Sequence, residues 1–444
     1  MRTVLPPSLA RVLAPAVAGA LALACYLFTI SPHIGLLHGT VDGAELVVVA
    51  SKLGVAHPPG SAIWMPLGWG ALNGLTVIPE PALRTNVLSA VLMGAAVAAL
   101  AVATMRWRPT TPPWAAALAG LLGGLAPIVW AEAIVTEVLA LQALLAALAL
   151  ALAIEASAGR RWPLFALVLG LLAWNHPTGL ALGVPLGLAA VVRARPPRRA
   201  WPWTVAAFLA PGLYTVAYLL LRADAAIAWG DTGTLPGVWA HLSGTAYQRV
   251  IDLSPAHLGG AVPASLRLAL WQVPPPLWPL LPVGAALLAR TRPLLAGALG
   301  VAVALLVVFV AAYRATGHED YLAPVAFVEA MLAAWGAEAL WGWLRPRVPG
   351  MSMRAAVAVC AAGLVVVWAA YVGTRVTLRG DTRILDEARA TLASAPAGGV
   401  LEVTGDVQTF PLWYAQAMLG ERPDVTIRNT RGLAPTLRGG EQVR

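Results

Sequence analysis

Apolar runs of about 20 residues recur along this 444-residue chain, and the short breaks between them hold most of its few charges. A bilayer core offers no water to backbone N–H and C=O groups, so a chain that crosses it repeatedly with such runs must do so as helices. The residue balance agrees: 59% of the chain is hydrophobic and 11% charged, which excludes ordinary soluble domains. The expected fold is therefore a polytopic α-helical membrane protein. Its spans are predicted at residues 12 to 31, 82 to 105, 112 to 131, 137 to 157, 162 to 174, 177 to 192, 201 to 221, 268 to 289, 293 to 313, 321 to 344 and 355 to 374. These are about eleven spans, of which the fifth and sixth are short. The first follows Arg11 and has no A-x-A-like cleavage site after it, so it is read as retained. Cys25 and Cys360 both lie inside apolar runs without metal-type spacing, and no disulfide is expected.

The net charge of +9 comes from arginines scattered in short clusters, not from a basic stripe, so nucleic acid is not an expected partner. The clusters read as topology signals. With a cytoplasmic N-terminus, fifteen basic residues fall inside, six fall in the outer loops and nine in the tail, which accounts for all 30. Between Arg161 and Arg193 both ends are basic, and Asn175, His176 and Pro177 mark the midpoint, which predicts two short helices turning at the outer surface. The run from Pro274 to Pro279, PPPLWP, breaks the eighth span, and residues 264 to 273 are expected in the interface. The membrane part is predicted at 1 to 375, with external loops at 32 to 81 and 222 to 267. A small exported α/β unit is predicted at 376 to 444, with helices around DTRILDEARATLA and TFPLWYAQAMLG and strands at VLEVT and DVTIR.

This topology puts all seven histidines on or near the outer face. Residues 38 to 64 are the densest polar stretch and hold His38, Asp42, Glu45, His57 and the only lysine, Lys52. Asp42 and Glu45 are spaced to share a helix face. The same D-x-x-E could be a capping box, with Asp at the N-cap and Glu at N3. His57-Pro58-Pro59-Gly60 is either a helix stop or a rigid corner that holds His57 over the membrane surface. Glu137 at the fourth span, His176 at the N-H-P turn, and Asp231, His241, Tyr247 and Arg249 of the second loop are further candidates on this face. His318 and Asp320 before the tenth span complete the set.

Several stretches, taken in order, resemble a known family. They are T-V-D-G-A-E-L (Thr40 to Leu46), L-G-V-A-H-P-P-G (Leu53 to Gly60), R-T-N (Arg84 to Asn86), T-E-V-L-A-L (Thr136 to Leu141), N-H, W-G-D (Trp229 to Asp231), H-L-S-G-T-A-Y (His241 to Tyr247) and D-Y-L-A-P (Asp320 to Pro324). In the tail, G-D-V-Q-T-F-P-L-W-Y (Gly405 to Tyr414) and R-P-D-V (Arg422 to Val425) join them. The chain resembles a multi-pass family long catalogued as a domain of unknown function, whose animal member is an endoplasmic-reticulum O-mannosyltransferase of receptor ectodomains. Leu139 departs from that family's usual tyrosine.

The resemblance implies the C-type glycosyltransferase fold, a polyprenyl-phosphate-linked sugar donor and an acidic catalytic residue in the first external loop. Asp42 matches that place, with Glu45 beside it, in an inverting transfer of mannose or another hexose to a hydroxyl of an exported protein or glycan. Lys52, His57, His176 and Arg249 are then the groups for the leaving phosphate, and Glu137, Asp231, His241, Tyr247, His318 and Asp320 bind substrate. No metal ligands are assigned and no cofactor is required, although a divalent cation shared by Asp42, Glu45 and His57 stays open. The expected place is a bacterial inner membrane, with membrane lipid as a partner. Two other readings stand beside this one: a flippase for a lipid-linked saccharide gated by Glu329, and a non-catalytic envelope assembly protein acting through its exported tail.

Overall fold

Each apolar run becomes a helix that stops where proline or arginine interrupts it. The structure is a computed structural model, which describes residues 7–36, 38–348 and 350–430; Arg2 and the tail beyond Thr430 lie outside the described residues. The chain begins with α1 (Pro7–Thr29), then crosses the polar loop through two short helices, α2 (Asp42–Ser51) and α3 (Met65–Gly74). Next come α4 (Pro81–Trp107), the bent pair α5 (Pro113–Gly124) and α6 (Pro127–Ala133), and α7 (Leu139–Ala156). The short pair α8 (Trp162–Asn175) and α9 (Gly179–Arg193) turns at His176 and is followed by α10 (Trp201–Leu221). The second polar loop carries α11 (Leu235–Leu242), and after it come α12 (Pro255–Leu270), α13 (Leu280–Thr291), α14 (Pro293–Ala312), α15 (Ala323–Leu344) and α16 (Met351–Val376).

Among the described residues, seven helices are long and apolar enough to cross a membrane, and the α5–α6 pair, bent by 71°, makes an eighth. Helices α8, α9 and α13 are shorter and apolar. The chain is an integral membrane protein, and these helices occupy the expected segments, except that 112 to 131, expected as one span, bends between α5 and α6; the proline run breaks the eighth span as expected. The segment 268 to 289 is not one helix. Pro274, Pro275, Pro276 and Pro279 leave it without amide donors, so α12 ends at Leu270 and α13 starts only at Leu280.

The bundle has two chemically different ends. At one, Arg108 pairs with Glu338 at 3.2 Å, Arg106 donates to the Ala151 carbonyl, and Arg292 donates to the Trp107 carbonyl at 2.8 Å. The other end gathers the polar loops: His33 pairs with Glu80 at 3.2 Å, and His257 meets the Ala311 carbonyl at 2.8 Å. Where helices cross, small residues let backbones touch. A Cβ on Gly284 of α13 would fall 2.0 Å from the Leu332 carbonyl oxygen, and one on Gly336 of α15 would fall 2.3 Å from that of Leu280.

After α16 the chain forms α17 (Arg383–Ser394), β1 (Val400–Val403), α18 (Asp406–Leu419) and β2 (Thr426–Asn429), with β1 and β2 parallel and Val400 opposite Thr426. A two-stranded unit has little core of its own, and this one leans on the membrane helices. Tyr414 of α18 donates to Glu80 and accepts from the Ala82 amide at 3.1 Å, while Phe410, Trp413 and Tyr414 are all buried.

The α13–α15 crossing is testable by thermal unfolding in detergent. Gly336→Val is expected to cost about 1–3 kcal/mol through overpacking. Gly342→Val, on the same helix but facing open space, should leave the unfolding temperature unchanged.

Candidate active site

Helix α2 carries the two acids of the first loop, and its start differs from a capping box. Val41, not Asp42, stands at the N-cap, and no side chain caps the helix. Asp42 and Glu45 share a face, as three-residue spacing requires, but they play different parts. Glu45 is fully buried. One of its oxygens accepts the His57 main-chain N–H at 2.9 Å, and the other bonds the ring at Nδ1. The far ring nitrogen, Nε2, stands 4.0 Å from Asp42 Oδ2. Asp42 keeps 34% of its side chain exposed against 0% for Glu45, so only Asp42 can reach a substrate.

The H-P-P-G corner presents His57 to both acids. The Pro58–Pro59 peptide is cis, and Gly60 turns the chain at φ +90°. Glycine is also needed there for space, since a Cβ would lie 2.9 Å from Leu219 and 3.0 Å from His241 Nε2. Trp229 backs the ring edge-on at 6.0 Å and meets Phe410 of α18 at the same distance on its other side. Two backbone bonds hold Trp229 in place: Val55 donates to the Ile227 carbonyl at 2.9 Å, and Trp229 donates to that of Val55 at 3.1 Å.

Burial alone would lower the His57 pKa. The charge and hydrogen bond of Glu45 outweigh it, with the charges of Asp42 and Glu137 behind them, and the ring is pushed up to about 10. His57 is thus an imidazolium at neutral pH. Burial lifts the Asp42 carboxyl above the usual aspartate range; His57 offsets part of this, and Glu45, Asp406 and Asp320 add to it. Asp42 is consequently an accessible carboxylate of raised basicity beside a fixed positive charge.

These groups form the floor of a cavity of about 860 Å³. Tyr247 and Gln248 line it from the second loop, and Asp406 and Phe410 from α18. Its remaining wall is apolar: Leu180, Ala181 and Val184 of α9 face Leu305, Leu306 and Phe309 of α14. Leu180, Val184 and Leu305 are nearly half exposed, so this wall continues onto the outer surface of the bundle. A smaller cavity of about 60 Å³ beneath the floor joins Asp42 and His57 to Glu137, His176, Asp320 and Tyr321.

The other sequence candidates divide. His176 lines both cavities, stacks on Tyr321 at 4.9 Å and bonds Thr178 at 2.8 Å; burial, then the charge of His57, lower it to about 4, so it is neutral. Glu137 reaches only the smaller cavities, and burial followed by the charges of Asp42 and Asp320 holds its carboxyl well above the ordinary range. Asp320 lines the smaller cavity and faces His38 Nδ1 at 2.5 Å. His241 is buried behind the corner, lowered to about 4 by burial and by His57.

Four further candidates also lie off the walls of the large cavity. The carbonyl of Lys52 accepts from the Arg222 guanidinium at 2.6 Å. Asp231 and Arg249 are exposed on the second loop, and His318 Nδ1 meets the Ala315 carbonyl at 2.6 Å. Of the four groups expected at a leaving phosphate, His57 and His176 line the large cavity, and Lys52 and Arg249 do not. A divalent cation on Asp42, Glu45 and His57 is also displaced, because Glu45 spends both oxygens on His57. Sequence reasoning missed Asp406 and Phe410 as site residues, although the stretch that holds them, Gly405 to Tyr414, is among those that carry the family resemblance.

The fold is that of the C-type glycosyltransferases. The chain resembles the ArnT crystal structure from Cupriavidus metallidurans bound to undecaprenyl phosphate, at TM-score 0.59 and 17% identity over 89% of this chain and 84% of that one. The apo ArnT structure gives TM-score 0.56 at 17% identity, over 89% and 83%. More particularly, two stretches of the chain match family models: residues 42–198 match the Protein O-mannosyl-transferase TMEM260 N-terminal domain, and residues 384–435 match TMEM260-associated domain 2. No curated protein matches the chain.

The Glu45–His57 pair carries a pH signature. Because the folded pKa of His57, about 10, lies above its ordinary 6.5, the stabilisation is fully present below pH 6.5 and is lost as pH rises through about 10. The unfolding temperature of the parent should fall across that window. His57→Gln should start lower and show a flatter profile.

Proposed function

We propose that this protein moves a sugar, mannose or another hexose, from a polyprenyl-phosphate donor to a hydroxyl of an exported protein or glycan, with inversion. The observation that carries the reading is the position of Asp42: a partly exposed carboxylate on the floor of a cavity whose opposite wall is apolar and runs out to the lipid-facing surface. Such a wall suits an isoprenoid chain, with the phosphate at the His57 end. Two relatives support the chemistry. An ArnT structure holds undecaprenyl phosphate, and the matching family model is described as a protein O-mannosyltransferase.

In this mechanism Asp42 takes the proton of the acceptor hydroxyl, and the oxygen attacks the anomeric carbon from the face opposite the phosphate. The bond from that carbon to the phosphate oxygen breaks, and the polyprenyl phosphate leaves with the electron pair. The His57 imidazolium offsets the charge that develops there. Glu45 positions His57, and no covalent glycosyl-enzyme forms, so one base suffices. Asp406, Tyr247 and Gln248 at the mouth meet the acceptor. The arginine asymmetry supports an N-terminus in the cytoplasm, with the cavity and a unit spanning 376 to 444 exported across a bacterial inner membrane. Glu329, the gate of the flippase reading, is not on the large cavity's walls.

The test is transfer of radiolabelled sugar from synthetic polyprenyl-phosphate-mannose by the purified protein. Asp42→Asn should lose roughly 10²–10⁴-fold in rate at unchanged unfolding temperature. Equal rates in parent and variant would remove Asp42 as the base, and translocation without transfer would favour the flippase. The parent's rate should rise with pH through a limb above the ordinary aspartate value of 3.8 and fall near 10 as His57 loses its proton.

A further inference from the structure

Beneath the floor, three segments distant in sequence bring their acid–base groups together. His38 lies in the loop just ahead of α2, Glu132 near the end of α6, and Asp320 just before α15; one donor atom from each lies within 4.8 Å of the other two. Glu132 is 1% exposed and Asp320 5%, so two carboxylates sit in a nearly dry pocket with a single imidazole. Neither acid has a lysine or arginine partner among the described ion pairs, and His38 bonds Asp320. Glu132 Oε2 is buried without a hydrogen-bond partner among the described residues. An ionised oxygen left without a partner at that depth is costly, and a cation within reach of all three donors would remove the cost.

We propose that His38, Glu132 and Asp320 bind a divalent first-row transition metal ion, of the zinc or manganese type, beneath the floor that carries Asp42. One imidazole nitrogen with two carboxylates is a donor set for such ions, whereas calcium and magnesium favour oxygen alone. Ligand bonds of about 2.0–2.2 Å require the three donors to close in slightly from their present spread. The cation takes the place of the proton now shared by His38 Nδ1 and Asp320, and that proton is released to solvent. The site ties the loop before Asp42 to α6 and to the start of α15. Its role is to hold the first loop in place, and it does not depend on which sugar, if any, is transferred.

The experiment measures metal content and thermal stability of the full-length protein, purified in detergent without chelator and with any affinity tag removed. Bound zinc or manganese is expected in the parent, with an unfolding temperature that drops on EDTA treatment and recovers with Zn²⁺ or Mn²⁺ but not with Mg²⁺. Glu132→Gln keeps the shape but cannot ligate as an anion. It should lose the metal and the response to EDTA. His38→Gln, at a partly exposed position, should do the same and serves if the first variant does not fold. A metal-free parent indifferent to EDTA, Zn²⁺ and Mn²⁺ would overturn the site in favour of a protonated Glu132 hydrogen-bonded to Asp320. Metal retained in both variants would place it elsewhere. Neither readout involves sugar transfer, so failure here leaves the glycosyltransferase reading untouched, and failure of Asp42→Asn leaves the cation site untouched.

Discussion

A carboxylate with no exposed surface cannot stay ionised unless both of its oxygens are satisfied, and in this protein one residue satisfies both. Glu45 bonds the main-chain N–H and the ring of His57, and that double attachment binds the loop after α2 back onto α2 itself. The rest of the site follows from it. With Glu45 turned inward, Asp42 on the same helix face is left pointing into the cavity. With His57 held ring-edge outward, Trp229 can back it and reach across to Phe410, so the membrane helices and the C-terminal unit meet over one imidazolium. Leaving Glu45 or His57 alone in that environment would leave a buried charge unpaired, which costs far more than the pair gains over water.

The bundle around this pair separates its chemistry by depth. Most of the arginines between the membrane helices sit at one end, histidines and most of the carboxylates at the other, and the helices between them are apolar. The large cavity belongs to the second end but is not wholly polar, because its α9–α14 wall runs out to the surface. Under the proposed function, this combination lets the site take a charged head from a lipid while leaving its chain in the bilayer. The α/β unit closes the polar side, anchored by Tyr414 between Glu80 and the start of α4.

Much of the architecture was legible because the bilayer admits few solutions. Span positions, the turn at His176, the break at the proline run and the two helices and two strands of the tail all follow from apolar length and from proline. Roles within the loops were harder to read. D-x-x-E is the same string in a helix cap and in an active site; here Glu45 is drawn away from the helix end by a histidine twelve positions on. Lys52 and Arg249 look like phosphate groups by charge, yet a loop's sequence does not say which way its side chains face. Asp406 reaches the cavity only because α18 docks against α2, and no local pattern encodes docking.

Sequence by itself determined that the chain is a helical membrane protein and that its chemistry gathers at one end. Hydrogen-bond satisfaction in lipid and the scarcity of charge leave no other arrangement. Tertiary structure alone decided which acid is buried and which is exposed, which cation faces the cavity, and that His38, Glu132 and Asp320 share a pocket. Those outcomes depend on burial and on contacts between segments far apart in the chain, and both exist only once the helices have packed.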